Sequence, residues 1–272
     1  MTWYPAPGKL NLFLHVLGRR PDGYHELQTV FRLIDRADRV GITPRDDGEI
    51  RFSGPFGEEN LCVRAARLLK KESGARHGAD LALEKVLPVG GGLGGGSSDA
   101  ATVLVVLNKL WNLRLDREKL MHLGKQLGAD VPAFIYGRNA LGEGIGERLR
   151  ALDLPSAWYL VLEPQVSVST RETFAGSLTQ HSKALKIPPF FPGQGRNDLE
   201  AAVVARYPEV AAHLEWLRQH CPQARMTGSG ACVFAEFETE AEACALHAQL
   251  SGGTRGFVAR GLDRHPLCEW TD

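Results

Sequence analysis

The stretch LPVGGGLGGGSSDAATVLVVLN (residues 87–108) constrains the fold more than any other part of the chain, because six of its residues 90–96 are glycine and an apolar run follows at once. Before it, ADLALEKVL alternates as a strand does; after it, the apolar run has the length of a buried helix. Ordering so many glycines costs backbone entropy, so the bend must gain something from bare backbone. Gly90, Gly92 and Gly95 fit the spacing GxGxxG, yet in so glycine-rich a run that match is nearly unavoidable. A dinucleotide-binding unit would place a second parallel strand after the helix, whereas DREKLMHLGKQLG opens another helix. A P-loop would close on Lys followed by Ser or Thr, and here no such pair occurs. What remains is a strand, a glycine bend, and Ser97, Ser98 and Asp99 at a helix N-terminus: a cradle of free N–H groups suited to an anion. A flexible linker or a tight strand–helix junction is the plainer alternative. Asp99 reads either as an ordinary first-turn acid or as a residue concerned with magnesium.

Lys plus Arg and Asp plus Glu both total 32, so no general field draws the chain to nucleic acid or an anionic membrane. Any anion is held locally. The five cysteines, Cys62, Cys221, Cys232, Cys244 and Cys268, are odd in number and form no CxxC pair, which suggests reduced thiols in a cytoplasmic protein. No charged leader precedes an apolar stretch at the N-terminus, and no window approaches a membrane span.

A chain of 272 residues exceeds one ordinary core, so two domains sharing a cleft are expected. Residues 9–16 alternate, with Lys9, Asn11, Phe13 and His15 on one face and Leu10, Leu12, Leu14 and Val16 on the other. A Pro-Asp-Gly turn leads to a second strand through Val30 to Ile34, and DRVGIT reads as a third. Asn60 caps a helix over LCVRAARLLKK; further helices are expected over residues 97–112 and 116–128. A glycine- and proline-bearing stretch ends near Asp153, dividing the chain into 1–153 and 154–272. The second part reads as a strand (WYLVLEP), helices opened by Ser169 with Glu172 and continued after Asn197 and Pro208, a hairpin around Gly228-Ser229-Gly230, a helix opened by Thr239 with Glu242, and a last strand GFVARGL. That order is β-α-β-β-α-β, the ferredoxin-like arrangement. Residues 180–196 read as a long loop.

Three stretches, PAPGKLNLFLHVLGRRPDGYHELQTVF, LPVGGGLGGGSSDAA and MTGSGACVFAEF, together resemble the GHMP small-molecule kinases. The DGYH turn joined to KLNL narrows the resemblance to the family of 4-diphosphocytidyl-2-C-methyl-D-erythritol kinases. The resemblance implies an α+β chain with a ribosomal-protein-S5-domain-2-like ATP domain ahead of the ferredoxin-like one. It implies ATP and Mg²⁺ as cofactors, the cytidylyl alcohol as small-molecule substrate, neither nucleic acid nor membrane as partner, and a monomer or weak homodimer. By motif, Pro88, Val89, Gly90, Gly91, Gly92, Leu93, Gly94, Gly95, Gly96, Ser97 and Ser98 would hold the phosphates, with Asn60, Leu61 and Lys85 toward the adenosine. Lys9 and Asp130 would be the catalytic pair. Asn11, Tyr24, His25 and Ile145 would place the acceptor and its cytidine. Read only as residues, Lys9 could be a surface lysine, Asp130 a helix cap ahead of Val131-Pro132, and Tyr24-His25 hairpin packing. Two departures stand out: Pro7-Gly8 precede Lys9 where the family commonly reads PAKLNL, and Gly195-Arg196 stand where a family aromatic is expected before Asn197-Asp198, leaving Phe190 or Phe191 as substitutes. Two rivals stay open: a GHMP kinase acting on a plain sugar, homoserine or mevalonate-type alcohol, and a nucleotide-binding module without catalysis.

Overall fold

The computed structural model describes residues 1–175, 182–185 and 193–271. Its first half is organised by two long antiparallel strands, β1 (Thr2–Arg19) and β2 (His25–Arg45). The second and third strands expected from the sequence are one: DRAD between them holds neither proline nor glycine, so nothing ends β2 there. β1 also begins earlier than expected, at Thr2, and its alternation is broken by register shifts between Pro7 and Lys9 and between Asn11 and Leu14. The second shift spoils the expected two faces: Phe13 joins the apolar cluster of Leu10 and Leu12, while Leu14 goes to another.

β3 (Ile50–Ser53) crosses through α1 (Leu61–Ser73) to parallel β4 (Gly78–Glu84), which lies along β2. Asn60 caps α1 as expected, its Oδ1 accepting from the Cys62 N–H at 2.8 Å. After the glycine bend, α2 (Gly95–Leu110) starts two residues earlier than the serines suggested, because Gly94 adopts the left-handed conformation at its N-cap. Residues 98–108 are all buried, as the continuous apolar run implied. α3 (Arg117–Leu127) is capped by Asp116, and α4 (Val131–Tyr136) follows Asp130. The hairpin of β5 (Ala140–Gly144) and β6 (Arg148–Ala151) then adds to β2.

The second half comprises β7 (Trp158–Leu162), α5 (Thr170–Ala175), α6 (Glu200–Arg206), α7 (Pro208–His220), β8 (Arg225–Met226), β9 (Val233–Phe237), α8 (Glu240–His247) and β10 (Gly256–Leu262). Its strands lie in the order β10-β7-β9-β8, antiparallel throughout, the ferredoxin-like sheet that the sequence order suggested. Thr239 and Glu242 make the expected reciprocal cap on α8. At α5, Ser169 Oγ accepts from the Glu172 N–H at 3.4 Å. Most of the long loop, including Phe190 and Phe191, lies outside the described residues.

β10 also pairs with β2, through Gly261 with Ile34 and Leu262 with Leu33, so one sheet runs across both halves. The chain then returns to the first half, where Leu267 is buried in the core. Among the described residues no helix is long and apolar enough to cross a membrane. All five cysteines are free thiols.

Candidate active site

A cavity of about 580 Å³ opens between the halves, with β1, the glycine bend, Ala129 and Asp130 ahead of α4, the β5–β6 turn, α5 and the Gly228–Gly230 turn around it. Its centre is Lys9. The register break at Pro7 and Lys9 withdraws the Lys9 N–H from β2 and gives it to Leu93 O at 3.0 Å. Gly8 permits this close approach, since a Cβ there would stand 3.1 Å from Leu87 Cδ2. The Pro7-Gly8 departure is therefore absorbed as a bulge that joins β1 to the bend.

The Lys9 side chain is 4% exposed. Its ammonium donates to Asn11 Oδ1 at 2.5 Å and Gly92 O at 2.8 Å, and Asp130 Oδ2 lies 3.3 Å away. Three partners match the three donors of an ammonium. Asn11 is itself fixed: its Nδ2 donates to Thr29 Oγ1 at 2.8 Å and its N–H to Thr227 Oγ1 at 2.9 Å. The amide is thus spent on aiming Lys9, although Asn11 still lines the cavity. Asp130 makes no side-chain cap at α4; one third exposed, it turns to Lys9 instead.

The glycine bend is anchored by its carbonyls. Gly90 O accepts from Ala231 N–H at 3.0 Å, Gly91 O from Cys232 N–H at 3.1 Å, Gly92 O from Lys9, Leu93 O from the Lys9 N–H, and Gly94 O from Ser98 N–H at 2.9 Å. In a trans peptide the next residue's N–H points opposite to the carbonyl. The N–H groups of residues 91–95 therefore face away from those anchors, the geometry of an anion cradle. Of the bend, residues 88–97 line the cavity. Ser98 does not: it is fully buried, and its hydroxyl has no partner among the described residues.

Asn60 and Leu61 line the far end with Lys85. Lys85 binds two buried carboxylates, Asp38 and Asp99, the latter at 3.1 Å. Asp38 also accepts from the N–H groups of Val86 at 2.6 Å and Leu87 at 2.8 Å. Burial works against the Lys85 ammonium, but Asp99 and Asp38 outweigh it and hold its pKa above the ordinary value. Burial, with Asp38 adding to it, pushes the Asp99 carboxyl up to about 7 against the pull of Lys85. Asp38 was not singled out from the sequence, where DRVGIT reads only as a strand.

At the opposite end, Ile145 lines the cavity, its N–H donating to Glu147 Oε2 at 2.7 Å. Tyr24 is 59% exposed on the turn and is not part of the wall. His25 is not on the wall either, but its ring stacks on Phe174 at 5.3 Å and 30°, and Phe174 is. Phe174 escaped sequence reasoning because only the fold carries α5 to β2. No group of three or more His, Cys, Asp or Glu suited to a metal ion occurs among the described residues. The side chains thus offer Mg²⁺ no cage of their own; it fits this site only as a companion of phosphate oxygens.

Residues 60–138 match the family model for the GHMP kinases N terminal domain, and residues 190–252 that for GHMP kinases C terminal. A 4-diphosphocytidyl-2-C-methyl-D-erythritol kinase of Nitrosospira multiformis is 57% identical over 98% of this chain and 94% of its own length. One of Thiobacillus denitrificans is 56% identical over 98% of both. A crystal structure of 4-(cytidine 5'-diphospho)-2C-methyl-D-erythritol kinase superposes with a TM-score of 0.83 at 36% identity, covering 96% of this chain and 99% of that one. The Methanococcus jannaschii mevalonate kinase shares the fold at a TM-score of 0.67 and 14% identity, covering 96% and 98%.

Proposed function

The chain belongs to the 4-diphosphocytidyl-2-C-methyl-D-erythritol kinase family of the GHMP kinases, and from that membership we infer that it transfers the γ-phosphoryl group of ATP to the 2-hydroxyl of 4-diphosphocytidyl-2-C-methyl-D-erythritol, a step of the non-mevalonate isoprenoid route. One observation carries the reading: the Lys9 ammonium touches both the glycine bend, at Gly92 O, and Asp130. Phosphoryl transfer needs positioning and charge neutralisation more than covalent chemistry. The N–H groups of the bend take the ATP phosphates, and backbone donors to a charged acceptor are worth roughly 1.5–3 kcal/mol each. Lys9 faces the charge on the transferred group. Asp130 orients the 2-hydroxyl and accepts its proton late in the transfer. Mg²⁺ bound with the nucleotide would supply further neutralisation of phosphate charge beside the bend and Lys9.

The cytidine lies at the His25–Phe174 side. Gly195 cannot supply the aromatic, because its φ is +82° and a Cβ there would meet Phe13 Cβ at 2.7 Å. Phe174 presents a ring to the cavity instead. The five free thiols are those of a chain working in the reducing cytoplasm.

A coupled ADP-release assay tests the assignment. Turnover should require the cytidylyl group, and equal rates on the alcohol without it would remove the narrower assignment. Asp130→Asn should lower kcat by about 10² or more while sparing nucleotide affinity; near-wild-type turnover would remove the base role.

A further inference from the structure

The Lys85 cluster does more than line the nucleotide end. Asp38 is satisfied: it is fully buried and takes two backbone N–H groups besides Lys85. Asp99 is not: it is 2% exposed, its Oδ2 holds Lys85, and its Oδ1 is buried with no hydrogen-bond donor among the described residues. Two carboxylates therefore share one ammonium; Lys85 is the most exposed of the three, its side chain being 17% exposed against 0% and 2% for its partners, and Lys85 and Asp99 line the cavity while Asp38 does not.

We propose that Asp99 is a positioning residue that couples nucleotide binding to proton uptake: it helps hold Lys85 until the nucleotide arrives, and takes a proton from solvent when the Lys85 ammonium turns to the ligand. The inference rests on reading this end of the cavity as the nucleotide site. Its physical basis is that a buried carboxylate with one oxygen unpartnered tolerates its charge only through the cation beside it. The charged and titratable groups facing Asp99 are Lys85 from the end of β4, Asp38 from β2 and Cys62 from α1. Of these only Lys85 favours the ionised carboxylate. Once Lys85 turns away, Asp38 and burial remain, both favouring the protonated acid. Asp99 already titrates near neutrality, so at cytoplasmic pH the loss of its cation is enough to protonate it. Asp38 keeps its two backbone N–H donors, Val86 and Leu87, when Lys85 moves.

The sign of the linkage follows. Binding raises the affinity of Asp99 for a proton, so nucleotide affinity is greatest below about pH 7 and falls as pH rises through the free-state value, by up to about tenfold per pH unit. Titration calorimetry with MgADP at about pH 8, in two buffers of different protonation enthalpy, measures the uptake directly. Wild-type protein should take up about half a proton or more per nucleotide. Asp99→Asn, which keeps the shape and cannot ionise, should lose that uptake and the pH dependence of Kd together. Lys85→Gln should bind more weakly and show no uptake, since its Asp99 is protonated beforehand. Equal uptake in wild type and Asp99→Asn, or none in wild type, would overturn the inference. Absence of MgADP binding by the wild type would instead overturn the nucleotide reading itself.

Discussion

Gly92 has a backbone φ of +75°, and a Cβ there would lie 2.2 Å from Thr227 O and 3.1 Å from Gly230 O, both backbone atoms that cannot swing aside. Gly96, four residues on and inside α2, would meet only Leu61 Cδ1 at 3.5 Å. Gly92→Ala should therefore lose at least the roughly 1–2 kcal/mol of left-handed backbone strain, and should weaken nucleotide binding, since Gly92 O also orients Lys9. Gly96→Ala should melt at the wild-type temperature or slightly above, a helical Ala being worth up to about 1 kcal/mol over Gly. Thermal melts with a nucleotide titration separate the two. If both variants melted alike, the glycines would matter only as a flexible tract. At this scale the sequence was informative wherever chemistry sits on one local segment: Lys9 and Asn11 two apart on a strand, and the glycines in one bend. It was silent where the fold brings the partner from afar. Asp38, Thr227 and Phe174 reach the site from separate parts of the chain; nothing near Asp38 or Phe174 marks them, and Thr227, though inside the MTGSGACVFAEF motif, carries no local sign that it would meet Asn11. Tyr24, singled out by its motif, stands exposed on its turn.

Helices and their caps were legible because a cap is a local hydrogen bond: Asn60, Asp116 and Thr239 each cap the helix that follows them. Strand lengths and bulges were not, because pairing across β1 and β2 sets them. The segment after β10 shows the same limit, since no periodicity marks it, yet His265 and Leu267 fix it to the first half. His265 donates its N–H to Gly137 O at 2.9 Å, and its Nδ1 accepts from the Leu267 N–H at 3.0 Å. Nδ1 is therefore unprotonated and the ring proton sits on Nε2, which is buried with no acceptor among the described residues. Burial pulls the imidazole down from 6.5 to about 4. The unfolded chain thus takes up a proton that the folded one refuses. This residue's contribution is complete above about pH 6.5 and is lost as pH falls toward 4, by at most about 3 kcal/mol. His265→Asn, which keeps an acceptor beside the Leu267 N–H, should flatten the stability curve across that window in urea titrations. An unchanged slope would show that other groups carry it.

Two domains with a cleft between them suggest hinge closure and two unfolding steps, but the core argues for one body. Leu10, Leu12, Phe13, Val30 and Ile34 of the first half share a buried cluster with Tyr159, Val161, Phe234, Phe257 and Ala259 of the second. The same sheet continues through both. An interface this apolar does not behave like a loose inter-domain contact, where relative motion is the default. The cavity wall is accordingly rigid at its floor, and a ligand finds Lys9, Asn11 and the bend already placed by contacts from both halves. Differential scanning calorimetry should then give one transition with matching calorimetric and van't Hoff enthalpies. Phe234→Ala is the sharper trial. Phe234 is 1% exposed and meets Tyr159 edge-on at 6.0 Å, so truncation should cost about 3–5 kcal/mol. Were the halves independent, only a second-half transition would fall and the first-half transition would stay in place. With a shared core the single transition moves as a whole, and nucleotide binding on the first half weakens at the same temperature as the second half melts.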